Sequence, residues 1–479
     1  MSAGAGAEAR RTTRGGRRQV WPVNSRWNFM TLGADIAFFS LGLSISSAYT
    51  LLPLFAHHLT DNNLLIALIP ALRALGQFAP QLLVAPFVER RRRTLPMILV
   101  ITPMERVPFL LLALGALWLA QGAPALLLGM FLFLVFLATL GSGLVYPAWL
   151  DLIARAIPSD WLGRFLGFWS GLGGALGIGG AAIGAALIAT FSFPLNFALC
   201  FLLTFAAMIV SFVLLALGRE PTRDLATQAT HTARPPHADA QHADAQEAHT
   251  TAPAALSAVA IRWNAAIRRF LAQNLNSWRL LGQDRGLLRL IIASGLLGIA
   301  TMASALFAVS AIKVGGLSDP EVGVESTVLA IALTGGNFLW GYVGDRWGHR
   351  AVLMWGALCA GASAALALWA SGFWDYALIF ALLGLNLAAT QLAQLTYIAE
   401  FGPPERRPTY IALASVAYAP FAIGAPLLGG WFANLWGYTP VYALSALVGF
   451  GAAIAFQFWV PNSRRAHSSQ SSQTSAASH

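Results

Sequence analysis

Four charged residues interrupt the apolar segments in the first half of the chain: Asp35, Arg73, Glu105 and Arg106. A charge near the middle of a bilayer costs about 2.5–3.5 kcal/mol, so such side chains usually face the protein interior and often serve a function. Counted at about 1.5 Å per residue, the last three lie near the membrane midplane and Asp35 lies nearer the inner face. A carboxyl that is alternately desolvated and paired with arginine can take up and release a proton. These residues therefore predict a proton-coupling group, with a static charge network as the alternative.

The two acids differ in their sequence surroundings. No obvious complementary side chain accompanies Asp35, which favours a functional proton site there. Glu105 and Arg106 are adjacent in sequence, and adjacent residues on a helix point in different directions. Two acids and two bases can nevertheless neutralise each other, so coupling and static roles both remain open for this pair.

Neutral polar residues at helical spacing predict a solute cavity. In the first half, Ser46 and Tyr49 follow Asp35 along one face, and Gln77 follows Arg73 by one turn. In the second half the candidates are amides, hydroxyls and one phenol: Asn337, Asn386, Thr390, Gln391, Gln394 and Tyr397. Since these residues carry no full charge, we expect the first half to handle protons and the second half to hold the solute.

The composition is that of a membrane protein. The 479 residues are 57% hydrophobic and only 10% charged, with a mean hydropathy of +0.63. Soluble domains carry about 25% charged residues, so a soluble enzyme is excluded. Each span needs about 20 apolar residues. Twelve runs meet that need, approximately 29–56, 64–87, 95–119, 125–150, 165–191, 196–217, 288–312, 324–343, 351–371, 376–399, 411–433 and 440–460. The predicted fold class is an all-α polytopic membrane protein with twelve transmembrane helices in two six-helix pseudo-symmetric bundles.

The predicted organisation is two bundles with polar tails. Residues 1–28 form an Arg-rich tail, 29–217 the first bundle, 218–287 a connector, 288–460 the second bundle and 461–479 a disordered tail. Within the connector, residues 222–256 have the composition of a disordered linker, and residues 257–281 place apolar and arginine side chains as an amphipathic helix on the membrane surface would.

The basic residues predict orientation rather than a nucleic-acid partner. The chain has 29 Arg and one Lys, Lys313, and most of them fall in the tails and alternate loops. Positive loops remain cytoplasmic, so both termini are expected inside, in a bacterial inner membrane. Because Val314 follows the lone lysine, no phosphate-binding G-x-x-x-x-G-K-[ST] loop is possible. Cys200 and Cys359 lie in apolar runs. No metal or cofactor is therefore expected, and we expect a monomer.

A loop pattern occurs twice, once in each half. The second copy, after the eighth run, reads Gly341-Tyr-Val-Gly-Asp345-Arg346-Trp-Gly348-His-Arg350. The first copy, after the second run, has Glu89 and Arg90 in the positions of Asp345 and Arg346 but lacks the glycines. Two six-span repeats of equal topology are typical of transporters, with the binding site near the midplane between them.

These residues resemble the major facilitator superfamily. The second copy matches the family's loop signature G-x-x-x-D-R-x-G-x-[RK] at every fixed position. The resemblance implies that this loop is a charged latch at the inner ends of the helices, with Arg346 and Arg350 reaching Glu400 or Asp151. The glycine-rich fifth run is similar to that of the drug:proton antiporter branch, although the antiporters' arginine in span four is missing here.

The leading functional prediction is a secondary transporter that works by alternating access. Proton-coupled export of an amphipathic or hydrophobic compound is the first hypothesis, and uptake of a polar metabolite by a proton symporter or facilitator is the alternative. The expected partners are a small-molecule substrate, protons and the lipid bilayer. A membrane-embedded enzyme would need catalytic acids or metal ligands at a membrane face and long structured outer loops. The outer loops here are short, and their acids, Asp61 and Asp375, lack partners in sequence. A sensor or scaffold with a transporter body is a third class.

Overall fold

Long apolar helices make up most of the described chain. The computed structural model describes residues 24–89, 91, 93–221, 285–401 and 407–461, without the side chains of 81–83, 85–89, 394–401 and 407–416. The predicted linker 222–256, the amphipathic helix 257–281 and most of both tails lie outside these residues. Ten described segments are long and apolar enough to cross a membrane by length and composition. The helices His349–Leu366 and Arg407–Trp436 complete the predicted set of twelve.

The first half contains eight helices that form six spans. Their bounds are α1 Ser25–Ile45, α2 Leu51–Leu59, α3 Asn63–Glu89, α4 Leu95–Ile101, α5 Pro103–Leu119, α6 Pro124–Ala156, α7 Ser159–Thr190 and α8 Leu195–Ala216. Spans one and three are each broken into two helices, α1 with α2 and α4 with α5. The first span begins four residues before the predicted position 29.

The second half repeats this order. Its helices are α9 Arg285–Ala300, α10 Phe307–Lys313, α11 Asp319–Trp347, α12 His349–Leu366, α13 Phe373–Phe401, α14 Arg407–Trp436 and α15 Tyr438–Ile454, followed by one π-helical turn, Ala455–Trp459. Span seven is broken between α9 and α10, as span one is between α1 and α2. The pseudo-symmetric arrangement of two six-span bundles is therefore confirmed.

Helix α11 begins five residues before its predicted apolar run. A capping box starts it: the Glu321 carboxylate accepts hydrogen bonds from the Ser318 backbone N–H and hydroxyl, both at 2.7 Å. The early start places Glu325 inside the helix rather than at its edge.

Small residues allow the helices of the first half to pack closely. A Cβ on Gly180 would lie 2.7 Å from the Leu41 carbonyl oxygen, and one on Gly184 would lie 2.8 Å from the Ile45 carbonyl oxygen. The backbones of α7 and α1 are therefore in contact, which explains the glycine-rich fifth span as a packing surface.

The two ends of the molecule differ in how the halves meet. We call the end where α1 and α9 begin the terminal face, and the opposite end, with the loops 60–62 and 314–318, the hairpin face. At the hairpin face one apolar cluster joins residues of both halves, Phe55 and Phe131 with Phe307 and Phe380. Toward the terminal face, separate clusters fill each half. The apolar core is thus shared by the two halves at the hairpin face and separate in each half toward the terminal face.

Candidate functional site

Spans one and seven are each interrupted where they line the same cavity. Helical structure breaks at Ser46–Thr50 between α1 and α2, and a 3₁₀ turn, Thr301–Ala303, leads from α9 toward α10. Tyr49 at the first break, and Thr301 and Ser304 at the second, line one cavity. Irregular backbone inside a membrane is tolerated where protein or a cavity satisfies it, and transporters use such breaks at their binding sites.

This central cavity, of about 280 Å³, lies between the two halves. The first half contributes Tyr49, Arg73 and Gln77, all of them predicted site residues. The polar side chains from the second half are Thr301, Ser304, Asn386, Thr390, Gln391 and Tyr418. The structure therefore brings together six of the predicted residues with Thr301, Ser304 and Tyr418.

Asn386 is fully buried in the wall of the central cavity. Its Nδ2 donates to the Gly356 carbonyl oxygen at 2.9 Å, while its Oδ1 has no hydrogen-bond partner among the described residues. The Nδ2 end of this amide thus bonds α13 to α12, and the Oδ1 end is a hydrogen-bond acceptor that no described group uses.

Arg73 is the only described charged residue that lines the central cavity. It lies ten residues into α3, about 15 Å from the hairpin end of that helix. In the part of the chain that the structure describes, the guanidinium has no ion pair and no hydrogen bond. The cavity wall therefore carries a positive charge without a bonded counter-ion.

The other three predicted charges meet inside the first bundle. Asp35 Oδ1 accepts a hydrogen bond from the Ser211 hydroxyl at 2.6 Å, and Oδ2 lies 3.4 Å from Trp149 Nε1. Arg106 Nη2 donates to the same Ser211 oxygen at 3.1 Å, and Nη1 donates to Glu105 Oε2 at 2.9 Å. Ser211 thus links Asp35 to Arg106, and Arg106 links the network to Glu105.

This network corrects one expectation from the sequence and answers one question that the sequence left open. Asp35 has close polar neighbours, because Ser211 of α8 and Trp149 of α6 face it across the bundle. Glu105 and Arg106 do pair although they are adjacent, because the long arginine side chain folds back and also bonds the Thr102 carbonyl oxygen at 3.2 Å. Sequence adjacency alone did not predict the reach of that side chain.

Three neighbouring cavities share lining residues along the row of these groups. An acid cavity of about 170 Å³ is lined by Asp35, Glu105 and Arg106. A bridging cavity of about 120 Å³ shares Glu105 and Ser142 with the acid cavity, and it shares Arg73 and Gln77 with the central cavity. Arg73 and Glu105 therefore lie in the walls of one small space.

A larger cavity, of about 680 Å³, lies between α7 and α11 on the terminal side. Asn337 and Gln391 line it, and Gln391 is also part of the central cavity. Ile36 and Ser40 are shared with the acid cavity. Both the central and the acid cavities thus adjoin this terminal-side cavity.

Side-chain contacts close the opposite end. His58 Nε2 lies 2.7 Å from Asp319 Oδ2, and Lys313 Nζ donates to Asp61 Oδ1 at 2.7 Å. Asp61, which has no partner in sequence, is therefore paired across the halves. Its hydrogen bond with Lys313 lowers the pKa of the Asp61 carboxyl below its ordinary value. We call the cross-half set of contacts the hairpin-face gate: His58, Asp61, Lys313 and Asp319, with Thr50 bonded to Ser326 and Asn62 and Asn63 bonded to Asn434 and Tyr438.

Three cavity candidates lie elsewhere or outside the described side chains. Ser46 bonds the Thr204 hydroxyl at 2.7 Å inside the first bundle, because the break after α1 turns it toward α8 rather than toward the second half. The side chains of Gln394 and Tyr397 are not among those described.

The described hydrogen bonds of two gating-loop arginines stay within the second half. Arg346 Nη1 donates to the Tyr342 hydroxyl at 3.1 Å, and Arg350 Nη1 donates to the Val460 carbonyl oxygen at 3.2 Å. Gly348 has φ of +88° between α11 and α12, which explains the glycine in the motif. Asp345 and Gly341 lie in the last turns of α11. The side chains of Glu89, Arg90 and Glu400 lie outside the described set.

Asp151 belongs to a cluster at the terminal face of the first half. Arg155 Nη2 lies 2.7 Å from Asp151 Oδ2 and 2.7 Å from Glu220 Oε1. Glu220 also accepts the backbone N–H groups of Thr94 at 2.6 Å and Leu95 at 2.9 Å, which caps α4. Sequence reasoning missed Glu220, and only its position next to Arg219 after the sixth apolar run distinguishes it.

A further charged residue missed by sequence reasoning is Glu325. It is 0% exposed, and neither carboxyl oxygen has a hydrogen-bond partner in the described residues. The signal that could have revealed it is the Ser318-x-x-Glu321 capping box, which moves the start of the span ahead of Glu325.

Solved structures with the same fold are membrane transporters. The nucleoside transporter NupG has a TM-score of 0.62 at 12% identity, covering 91% of this chain and 99% of its own. A D-xylose–proton symporter has a TM-score of 0.59 at 16% identity, covering 91% and 98%. A bacterial homologue of the human lysosomal transporter Spinster, in an inward-facing and unoccupied conformation, has a TM-score of 0.55 at 13% identity, covering 92% and 95%. At these identities the likeness concerns the fold alone.

The family assignment comes from the sequence as a whole. No curated protein matches the chain. The family model of the Major Facilitator Superfamily matches residues 34–318 and 290–478, which together span both bundles. With the two six-span repeats and the Gly341–Arg350 loop, the chain belongs to the Major Facilitator Superfamily, a family of membrane transporters rather than enzymes.

Proposed function

We propose that the protein is a proton-coupled secondary transporter that moves a small organic solute by alternating access. The observation that carries this proposal is the central cavity, which lies between the halves at the breaks of spans one and seven and is lined by polar groups. Its hairpin end is closed by the gate, and the terminal-side cavity adjoins it. Rocking of the two halves would open the hairpin end of the cavity and close its terminal end.

The proton is assigned to the acid network. Asp35 and Glu105 share one arginine, Arg106, through Ser211 and a direct ion pair. One guanidinium cannot fully neutralise two buried carboxylates, so one acid carries a proton in this state. We assign the route of that proton to the terminal-side cavity, which adjoins the acid cavity because Ile36 and Ser40 line both.

The cavity lining favours a polar solute over a hydrophobic one. Arg73, Gln77, Asn386 and Gln391 suit a solute that makes hydrogen bonds, which supports the alternative of uptake by symport. The D-xylose–proton symporter among the structural neighbours supports coupling to protons. Export of an amphipathic compound remains the competing hypothesis, because Tyr49, Phe78 and Tyr418 bring aromatic surface to the same cavity. We assign the terminal face to the cytoplasm of a bacterial cell with a monomeric protein in its inner membrane.

Proton flux in proteoliposomes tests this proposal. The screen would contain sugars, nucleosides, organic acids and lipophilic cations, with wild type beside Asp35→Asn and Glu105→Gln. Asp375→Asn is the control, because this exposed acid at the hairpin face bonds only its own loop at Ser371 in the described structure. We expect a solute-dependent pH change that both test variants lose and the control keeps. Undiminished proton-driven transport in both variants would show that the network is static, and solute exchange without proton movement would identify a facilitator.

A further inference from the structure

Arg106 and Arg73, two arginines inside the first bundle, differ in their anionic partners. Arg106 holds Glu105 directly and reaches Asp35 through Ser211. Arg73 has neither an ion pair nor a hydrogen bond among the described residues, although it lies near the membrane midplane. A cation that is partly buried at this depth is unfavourable unless an anion accompanies it. Arg73 thus brings one positive charge to the central cavity, and no described residue of the cavity wall provides a counter-ion.

The groups around Arg73 are suited to an organic anion. Tyr49 and Gln77 line the same wall, and across the cavity Ser304, Thr390 and Gln391 can hydrogen-bond the rest of a small molecule. No described carboxylate lines the central cavity, so nothing there repels a negative charge. A guanidinium donates two parallel hydrogen bonds to a carboxylate, which makes that group the best match.

We propose that Arg73 binds a carboxylate of the transported solute and that Glu105 competes with this carboxylate for Arg73. This inference rests on the proposed transport function and names the substrate class for it. The bridging cavity, whose walls contain both Arg73 and Glu105, is the space through which the guanidinium turns from one anion to the other. Arg106 donates a hydrogen bond to Oε2 of Glu105, and no described guanidinium bonds Oε1.

The competition links solute and proton. When Glu105 carries a proton it no longer attracts Arg73, and the guanidinium is available to the solute. When Glu105 is ionised it draws Arg73 away from the central cavity. The titratable and charged groups that surround Glu105 are Arg106 on α5, Asp35 on α1, Tyr146 on α6 and Arg73 on α3. Solute carboxylate and proton would therefore bind together.

Equilibrium binding to the purified protein tests this inference without any gradient. The probes are propionate, lactate and benzoate, each compared with its amide, and binding is read as a shift in melting temperature and by calorimetry. The test variant is Arg73→Gln, the conservative variant is Arg73→Lys, and the control is Arg164→Gln, an exposed arginine of α7 stacked on Trp161. Without ligand, Arg73→Gln should melt no lower than wild type, since no ion pair is lost.

We expect the acids to bind wild type and the Arg164 control, and the amides not to bind. Arg73→Gln should weaken acid binding about 10-fold to 100-fold, and Arg73→Lys should weaken it less. In wild type the affinity for the acids should fall as the pH rises, whereas the affinity of Glu105→Gln for the acids should not change with pH. Equal binding of acids and amides, no binding of any acid, or unchanged binding in Arg73→Gln overturns the proposal. Acid binding without proton flux in proteoliposomes would contradict the coupling but leave the anion site in place.

Discussion

Glu325 is a carboxyl in an apolar environment. It is 0% exposed within α11, and both of its oxygens lack hydrogen-bond partners in the described chain. A buried polar group that lacks a partner costs about 1–3 kcal/mol relative to a well-packed apolar one. The residue therefore destabilises the conformation seen here, and its neighbour Ser326 bonds Thr50 in the hairpin-face gate.

Replacing Glu325 with leucine should stabilise the protein. We expect Glu325→Leu to add about 1–3 kcal/mol of stability, because the desolvation cost of the carboxyl disappears while the volume is kept. Thermal melting in detergent measures this. Four residues earlier, Glu321→Ala should act in the opposite direction, since it removes both hydrogen bonds of the capping box. If Glu325→Leu melts lower than wild type, the carboxyl has a partner in the folded protein and the argument is wrong.

The charged residues of the first half show what a sequence can reveal about single side chains. Asp35, Glu105 and Arg106 are conspicuous because charges are rare in apolar runs. Ser211, which joins them, is an ordinary residue in such a run, and nothing in the sequence distinguishes it. Its role depends on how α8 is rotated against α1 and α5, which is a property of the assembled bundle.

Close contact between α3 and α6 depends on glycine. A Cβ on Gly143 would lie 2.6 Å from Pro80 Cγ and 2.8 Å from the Gln77 carbonyl oxygen, and still nearer the carbonyl oxygen of Gly76. These atoms are backbone or a rigid ring, so they cannot move aside without separating the helices. We expect Gly143→Ala to destabilise the protein by about 1–3 kcal/mol, measured by unfolding in detergent mixtures.

Gly129 on the same helix is the matched control. Nothing lies within 4 Å of a Cβ built there, so alanine should be neutral or stabilise the helix by about 1 kcal/mol. Equal effects at the two positions would show that α3 and α6 are not as close as the structure has them. Because Gln77 lines the central cavity, Gly143→Ala should also impair transport more than Gly129→Ala does.

The spans themselves could be predicted from the sequence, and their breaks could not. Length and hydropathy locate a span because lipid contact rewards apolar residues along its whole length. The interruptions at Ser46–Thr50 and Thr301–Ala303 lie within the runs 29–56 and 288–312, each of which is apolar enough on average to be taken as one continuous span, so hydropathy does not register them. This also explains why Ser46 does not line the central cavity: the helical stripe predicted to join it to Tyr49 is not continuous across the break.

The ion pairs that hold the two halves at the hairpin face are partly exposed and therefore weak. The Asp61 side chain is 87% exposed and its partner Lys313 28%, and exposed ion pairs contribute only about 0.2–1 kcal/mol each. One buried apolar cluster also joins residues of the two halves at this face. A closure of this kind is reversible, because loss of a few contacts changes the balance between two arrangements of the halves.

The Lys313–Asp61 contact gives the gate a predictable response to acid. Since the pKa of Asp61 lies below its ordinary value of 3.8, the pair contributes at all pH values above that and is lost only as the pH falls through the lowered pKa. Between pH 5 and 8 the contribution of this pair is therefore expected to be constant.

Weakening the gate should therefore move the whole molecule toward the opposite state. In a background with Cys200→Ser and Cys359→Ser, single cysteines would report on each face: Thr50→Cys, which is buried in the gate, and Ser170→Cys, which is exposed in the terminal-side cavity. Adding Asp61→Asn and Asp319→Asn should raise the labelling rate of Thr50→Cys about 3- to 10-fold in nanodiscs, because two cross-half pairs are lost. The rate of Ser170→Cys should fall at the same time, since the halves rock as rigid bodies. Two rates that rise together would indicate local loosening instead of alternating access, and unchanged rates would show that the apolar cluster alone holds the hairpin face.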